Sequence, residues 1–354
     1  MSRLKKATFE CEVVTPMFLG GADGQQAELR SPAIRGGLRF WYRAYLGGKG
    51  ITDTERLSEE ETKVFGSASK GGLVSVFIKH ETLETVSAEK YTKNEKGKPQ
   101  PNGTAYLWYS LTLGQNKKQG IKPGQRFYVS LRSKDADALE SAMLAFRLLA
   151  QYGGLGSRSR RAAGSFRIVN TEANYDVSKS DFDLNTLPDS PLPQKPSFNV
   201  YHAEYCEIHN LNKSFNSWEK AVEHVGTQMR SYRSKNGMGK GGDYDQVRDQ
   251  IQHNEPAKAL DRAHFGLPLR FQYRSLRGKV NRNNVNIDIY GSENENRKAS
   301  PVLLSINKQN EEYFISVIYF KSQFFPPKGG MKIGYNKNVK LGKSSIISDF
   351  IKTL

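Results

Sequence analysis

Two helical segments set among short alternating segments restrict the fold of this chain more than any other feature of its first 170 residues. The stretch 31–46 has Ser31 as a predicted N-cap, Pro32 as the first helical residue, and Gly47-Gly48 as a stop. Apolar residues at helical spacing predict a second helix over 136–151. Strand periodicity occurs at 7–14, 73–79, 105–113, 126–132 and 165–170. This order predicts a βαββαβ ferredoxin-like unit, with its helices on one face of the sheet.

The second half of the chain is less regular. A proline-rich stretch, 176–198, predicts an extended linker, and 83–104 predicts a mobile loop in the first half. Beyond the linker we predict strands at 199–209, 301–307 and 312–320, helices at about 217–235 and 344–354, and a polar insertion at about 236–260 with a short helix. The fold class is therefore α+β. We predict two tandem ferredoxin-like (RRM-like) domains, 1–175 and 199–354, of which the second is less regular.

The charge of the chain favours a polyanionic partner. It has 53 basic and 36 acidic residues, a net charge of +17 and a pI near 9.6. A basic surface that only keeps the protein in solution is the alternative. The two cysteines, Cys11 and Cys206, exclude a disulfide framework and fit a reducing cytoplasm. No apolar run approaches the roughly 18 residues of a membrane span, so we expect no membrane contact.

Two segments combine glycine with arginine, and each has a long stretch without acids. The first is 19–48, with no carboxylate between Glu28 and Asp53, and the second is 152–167. Glycine lets the backbone approach a ligand, and guanidinium groups bind phosphate oxygens in a forked geometry. The glycines of the second segment could simply end a helix and form a turn. Such a turn would not require the three arginines that follow. The predicted RNA-binding residues of these segments are Arg30, Arg35, Arg39, Trp41, Arg43, Gly154, Gly156, Ser157, Arg158, Ser159, Arg160, Arg161 and Gly164.

Three arginines of the first helix recur every four residues, at Arg35, Arg39 and Arg43. Such like charges repel one another by a few tenths of a kcal/mol, about 0.2–0.5, for each pair. A phosphate backbone, or carboxylates of a partner chain, would compensate them. The alternative is a solvated helix face whose arginine stems cover apolar surface.

Further basic sites lie in the second half. Arg297 and Lys298 precede a Ser-Pro step, and the run 321–343 holds six lysines, no acid and three aromatic residues. Basic groups interleaved with aromatic rings suit single-stranded nucleic acid, although the run could equally be a basic loop whose rings are core.

No catalytic constellation is apparent in the sequence. The six histidines form no known metal-binding pair. Asp243 and Asp245 could coordinate a metal, but a solvated loop is the more common role of two such residues. We therefore predict no catalytic residue, no metal site and no cofactor.

Several motifs resemble a known family. Residues 15–48 and the GGLGSRSRRAAGSF segment are similar to the N-terminal signature and the glycine-rich loop of the first subunits of type III-B CRISPR (Cmr) effectors, within the RAMP superfamily. FGLPLRF (265–271) and RKASPVLLSI (297–306) resemble further RAMP segments. In the second half no clear glycine-rich loop occurs, and 328–338 is the nearest candidate.

The resemblance implies an antiviral RNA-binding subunit with two ferredoxin-like domains. It implies contact with the 3′ region of the guide CRISPR RNA and with target RNA, next to other Cmr/RAMP subunits, while a different subunit cleaves the target. Its binding residues would be Arg35, Arg39, Arg43, Trp41 and the loop Gly154 to Gly164. Two alternatives stay open: an endoribonuclease that processes CRISPR RNA with His80 or His202, and a scaffold whose basic faces meet acidic proteins.

Overall fold

The computed structural model describes most of the chain. The described residues are 4–21, 26–112, 118–175, 183–238, 241–253, 259–267, 269–273, 285–291, 297–321, 331–333, 337–339, 341–343 and 345–354. They belong to two compact units, which are discontinuous in sequence. Unit 1 contains 1–227 and 303–322, and unit 2 contains 228–302 and 323–354.

The elements of the described residues are mixed helix and strand, which confirms the predicted α+β class. The strands are β1 (Lys5–Val13), β2 (Ser75–Lys79), β3 (Thr85–Ser87), β4 (Gln119–Ile121), β5 (Arg126–Ser133), β6 (Phe166–Ala173), β7 (Cys206–Phe215), β8 (Leu269–Tyr273), β9 (Val285–Gly291), β10 (Val302–Gln309), β11 (Glu312–Phe320), β12 (Met331–Ile333) and β13 (Lys337–Val339). The helices are α1 (Ser31–Gly48), α2 (Thr54–Phe65), α3 (Glu89–Thr92), α4 (Gly103–Trp108), α5 (Ala136–Tyr152), α6 (Trp218–Met238), α7 (Asp243–His253) and α8 (Ile346–Ile351). Two 3₁₀ turns lie at Tyr109–Thr112 and Asp261–Phe265.

A four-stranded antiparallel sheet forms the centre of unit 1, in the order β2-β5-β1-β6. Helices α1 and α5 pack against each other and cover one face of this sheet. The rings of Phe9 on β1 and Phe146 on α5 lie 4.7 Å apart, and both side chains are fully buried. Each such ring contributes about 1.5–3 kcal/mol when it leaves water. This packing holds β1 and α5 together, and with them the starting points of the two loops that follow these elements.

The start of α1 differs in detail from the prediction. The helix begins at Ser31, so that Arg30 is the N-cap residue, and Arg30 makes no side-chain capping hydrogen bond. The proline falls within the first turn, where its missing N–H costs nothing. Ser31 was therefore wrongly predicted as the cap, but the predicted helix is present.

The predicted strand at 105–113 is wrong. Residues 103–112 form α4 and a 3₁₀ turn instead, because two side chains satisfy the amides at the start of the helix. Asn102 accepts a hydrogen bond from the amide of Ala105 at 2.8 Å, and Glu223 accepts from those of Gly103 and Thr104 at 2.7 and 2.9 Å. The preceding stretch 83–104, predicted as a mobile loop, contains β3 and α3, and β3 pairs with β4.

A second sheet of unit 1 has the order β10-β11-β7. Its strand β7 begins at Cys206, later than the predicted strand at 199–209. Residues before it pack on α1 instead: the amide of Tyr201 donates to the carbonyl of Ala44 at 2.8 Å, and Tyr201 is fully buried. A Cβ on Gly48 would overlap the carbonyl of Tyr201, so the glycines at the end of α1 are needed for this close approach.

Unit 2 has its own sheet and core. Strands β13-β12-β9-β8 form an antiparallel sheet, and buried residues of α7, β8 and β12 pack together, among them Val247, Phe271 and Met331. The side chain of Asp243 at the start of α7 is 1% exposed and accepts hydrogen bonds from the amides of Asp261 and Arg262 at 3.0 and 2.9 Å. Asp243 is thus a structural residue of unit 2 and not part of a solvated loop.

We expect Asp243 to make stability depend on pH. Burial raises its pKa to about 6, although the amides and the charge of Arg262 oppose the shift and only the charge of Asp261 adds to it. A carboxyl with a raised folded-state pKa stabilises most below about pH 4 and loses that contribution as the pH rises through about 6. Urea unfolding of wild type and D243N at pH 4, 5, 6 and 7 should show their stability difference changing by roughly 3 kcal/mol, at 1.36 kcal/mol per unit. Parallel pH curves would contradict this.

Candidate nucleic-acid interface

The second glycine-arginine segment lies against the loop that leads into the first, and its Arg160 guanidinium lies 5.1 Å from the ring centre of Phe40 in the first. The amide of Gly164 donates to the carbonyl of Pro16 at 2.9 Å, and that of Ser157 donates to Phe18 at 2.8 Å. Within the second loop, the amide of Leu155 donates to the carbonyl of Gly164 at 2.9 Å. We call the loops 16–21 and 153–164 together the Gly-Arg platform. Segments far apart in sequence therefore form one surface at the ends of β1 and α5.

Two glycines of the platform have conformations that other residues rarely adopt. Gly156 has φ +90°, and a Cβ there would lie 2.6 Å from the carbonyl oxygen of Phe18. Gly164 has φ +70°, and its Cβ would overlap the carbonyl of Leu155. These glycines are required for the contact between the loops, which is a structural role and leaves the arginines to contact a ligand.

The arginines of the second loop are supported by aromatic rings. The guanidinium carbon of Arg158 lies 4.9 Å from the ring centre of Tyr109, and its Nε donates to Ser110 Oγ at 2.6 Å. The guanidinium of Arg160 lies 5.1 Å from the ring centre of Phe40, and burial lowers its pKa. The carbonyl of Arg161 accepts a hydrogen bond from Trp108 Nε1 at 2.9 Å. Stacking orders the side chains of Arg158 and Arg160 before any ligand arrives.

Two residues beside the platform were missed by the sequence analysis. Tyr109 is 56% exposed beneath Arg158, and Lys118 Nζ donates to Ser157 Oγ at 3.1 Å. Tyr109 was hidden because its segment was predicted as a strand. The N-capping Asn102 just before it is the sequence signal that could have revealed the helix and its exposed end.

The arginines of α1 are partly compensated within the chain. Arg39 Nη1 contacts Glu61 Oε1 of α2 at 2.7 Å, Arg43 contacts the other oxygen of Glu61, and Arg39 also donates to the carbonyl oxygens of Phe65 and Gly66. A single carboxylate thus contacts two guanidinium groups, so it relieves part of their repulsion within the chain and does not neutralise both. Arg35 makes no ion pair with any described residue, and its buried Nε has no hydrogen-bond partner there. Of the three, Arg35 therefore remains available for a ligand.

Arg30 and Trp41 differ in exposure. Arg30 lies 3.6 Å from Glu28, and both side chains are about half exposed, at 42% and 52%. The side chain of Trp41 is 1% exposed and packs on Tyr152 and Phe320. A buried ring offers no face to a base, so Trp41 supports α1 from within the core.

Arg297 and Lys298 belong to unit 2. Arg297 is exposed, and the backbone of Lys298 pairs with that of Leu267. The Ser-Pro step continues into β10, where Ser300 Oγ accepts from the amide of Val302 at 3.2 Å. Much of the basic run 321–343 lies outside the described residues, but its candidate loop 328–338 contains β12 and the start of β13, which pair with each other.

The histidines named as candidate catalytic groups have structural or simple surface contacts. His202 is 2% exposed, its Nε2 contacts the carbonyl of Ser190 at 2.8 Å, and its Nδ1 accepts from the amide of Glu204 at 3.1 Å. His80 is exposed and contacts the carbonyl of Glu81. Within the part of the chain that the structure describes, no group of three or more His, Cys, Asp or Glu side chains could hold a metal ion, and no helix is both long and apolar enough to cross a membrane.

Comparison with known proteins identifies the family that the N-terminal half of the chain resembles. Residues 10–167, which hold both loops of the Gly-Arg platform, match the model of the RAMP superfamily. This segment is therefore similar to the RAMP superfamily, which confirms the resemblance predicted from the sequence.

The individual proteins to which the chain is similar include Cmr1 subunits. CRISPR system Cmr subunit Cmr1-1 of Pyrococcus furiosus is 33% identical over 166 residues, which are 46% of this chain and 47% of that protein. The match thus spans about half the length of this relative. The crystal structure of Cmr1 from Pyrococcus furiosus (apo form) has a TM-score of 0.60 at 20% identity, covering 97% of this chain and 96% of that one.

A larger assembly supplies another neighbour. A chain of the type III-B Cmr-beta structure bound to cognate target RNA and AMPPnP, in the presence of ssDNA, has a TM-score of 0.52 at 12% identity, with 99% of each chain covered. At these identities both solved structures show the fold alone.

Proposed function

We propose that the chain is a non-catalytic RNA-binding subunit of a type III-B CRISPR effector complex in antiviral defence. It engages the 3′ region of the guide RNA, target RNA or both, chiefly through their phosphate backbones, in the cytoplasm and next to other Cmr/RAMP subunits. The Gly-Arg platform, in which the arginine-bearing loop 153–164 lies against the loop 16–21, carries this proposal. The similarity to Cmr1 proteins, and to a chain of an assembly solved with target RNA, supports it.

The chemistry of the platform suits a phosphate backbone. Arg158 and Arg160 are ordered by stacking on Tyr109 and Phe40, so that less side-chain entropy is lost when they bind phosphate. Tyr109 is also 56% exposed beside Arg158, and an exposed aromatic ring can take a stacked base. Backbone contacts of this kind bind with little sequence specificity and depend strongly on salt.

The proposal includes the finer architecture inferred from the sequence. The order β2-β5-β1-β6, with α1 and α5 on one face, supports a ferredoxin-like domain at 1–175. A second such domain, 199–354, would follow the linker 176–198. The binding surface includes Arg30, Arg35 and the loop Gly154 to Gly164, with Arg297 and Lys298 as a separate basic site in unit 2.

Arg158→Gln should weaken binding to single-stranded RNA about fivefold, irrespective of sequence. The substitution removes the charge together with the stacking on Tyr109 and the hydrogen bond to Ser110 Oγ. Losing one phosphate contact should lower the salt slope by about 0.7. Fluorescence anisotropy over a salt series with two unrelated oligonucleotides measures both quantities. The matched control is Arg248→Gln in unit 2, whose guanidinium contacts Asp245 and Asp249. Equal effects of the two substitutions would remove the platform from the proposal.

A denaturing gel of the same mixtures tests the nuclease alternative. The bonded, buried ring of His202 argues against it as an acid-base group. RNA cut at one defined position, with cleavage lost in His80→Ala, would replace the binding proposal by the endoribonuclease.

A further inference from the structure

The four-stranded sheet of unit 1 has an outer face that α1 and α5 do not cover. Along β5 the side chains of Phe127, Val129 and Leu131 are fully buried, while Tyr128 and Arg132 alternate with them and point the other way. The same alternation on β2 buries Val76 and turns its neighbours outward. The residues of this outer face can therefore be read directly from strand register.

Two aromatic rings are displayed side by side on the outer face. Phe77 on β2 is 47% exposed, and Tyr128 on β5 is 39% exposed. Phe77 is paired with Ser130, and Tyr128 with Lys79, so the two rings are diagonal neighbours. Diagonal neighbours on adjacent strands lie about 7–8 Å apart, which allows two successive unstacked bases to lie on the two rings.

Three cations lie near these rings. The guanidinium carbon of Arg132 lies 4.4 Å from the ring centre of Phe77, and its buried Nε has no hydrogen-bond partner among the described residues. Lys6 and Lys79, on either side of β5, form no ion pair with any residue that the structure describes. The outer face therefore has donors and positive charge that protein groups do not satisfy.

The carboxylates of the same face only partly offset this charge, since Glu10 and Glu12 are already paired and the exposed Glu172 lies on the far strand β6, in register with Thr8. Glu10 contacts Arg126, and Glu12 accepts from Arg167 at 2.7 Å and from Lys308 Nζ at 3.3 Å. The charge of Lys6, Lys79 and Arg132 is thus left over. This excess of positive charge is complementary to a polyanion, whereas a protein surface with both acidic and basic groups would not match it.

We propose that the outer face is a second contact for single-stranded RNA, separate from the Gly-Arg platform. Two consecutive bases stack on Phe77 and Tyr128, and the guanidinium of Arg132 donates to the phosphate between them. Duplex RNA is excluded because its base faces are hidden within the helix. The inference rests on the proposed RNA-binding function and adds where and how bases, as distinct from phosphates, are held.

The test uses the full chain and a single-stranded RNA that carries 2-aminopurine. The double variant Phe77→Thr/Tyr128→Thr keeps the β propensity of both strands and should weaken binding about 10- to 100-fold, with loss of the fluorescence quenching that stacking causes. Arg132→Gln leaves both rings in place and should weaken binding about fivefold with quenching retained. The control Val169→Thr changes an apolar residue that is 38% exposed on β6 and should change neither quantity.

The outcomes separate this inference from the proposed function. If the double variant binds and quenches as wild type does while Arg158→Gln weakens binding, the outer face is not an RNA contact and the platform remains one. If the double variant loses only its assembly with other subunits, the face is a protein interface and the inference is overturned. If wild type binds no RNA at low salt, the proposed function and this inference both fail.

Discussion

Replacing Gly164 by alanine is expected to destabilise unit 1 by about 3 kcal/mol and to reduce RNA affinity at least tenfold. Two costs add at this position. First, a non-glycine residue at φ +70° costs about 1 kcal/mol of stability. Second, the new Cβ would overlap the carbonyl of Leu155, and this overlap can be relieved only if the loop that contains Leu155 moves. Movement would break the hydrogen bond from Gly164 to Pro16, which joins the two loops of the platform.

The chain offers a matched control for the backbone cost alone. Gly124 has φ +83°, and nothing lies within 4 Å of where its Cβ would be. Gly124→Ala should therefore cost only about 1 kcal/mol and leave RNA binding unchanged. Urea unfolding gives both stabilities, and anisotropy at equal folded fraction gives both affinities. If Gly164→Ala and Gly124→Ala have the same stability and the same RNA affinity, the close contact between the two loops of the platform is not needed for binding.

The elements with strong periodicity were predictable from sequence. The helices α1 and α5 and the strands β1, β5 and β6 are all found near their predicted positions, because each buries one regular apolar face on the same core. The strand predicted over 105–113 failed in part because a distant residue helps to decide the local structure. Residues 105–112 alternate enough to suggest a strand, yet Glu223, 119 residues from Thr104, accepts from the amides that begin α4.

The candidate site was only partly predictable for a similar reason. The clustering of glycine and arginine identified the two segments near which the platform forms, because such clusters are visible in the sequence itself. The role of each arginine depends on its neighbours in space, and α2, which carries Glu61, was not predicted at all. Trp41 illustrates the same limit, since helical spacing places it on an apolar face and only the packing of Tyr152 and Phe320 shows that it is enclosed.

Arg39 and Arg35, one turn apart on α1, should respond to substitution in opposite ways. Arg39→Gln should lower stability by about 2 kcal/mol, because it removes a partner of the nearly buried Glu61 and two hydrogen bonds to backbone carbonyls. This value lies below the cost of breaking a fully buried pair, because the Arg39 side chain is 28% exposed. Arg35→Gln removes no ion pair and should leave stability within about 0.5 kcal/mol.

RNA binding should show the reverse order. Arg35→Gln should weaken it about fivefold and flatten the salt slope, whereas Arg39→Gln should change affinity little at equal folded fraction. Glu61→Gln completes the test: it costs stability as Arg39→Gln does, but it releases Arg39 and Arg43 and should leave RNA affinity equal or higher, with a steeper salt slope. A fall in affinity in Glu61→Gln, at equal folded fraction, would show instead that the ion-paired geometry of α2 is itself needed to hold RNA. In either case the comparison separates a charge that folds the protein from one that binds its ligand.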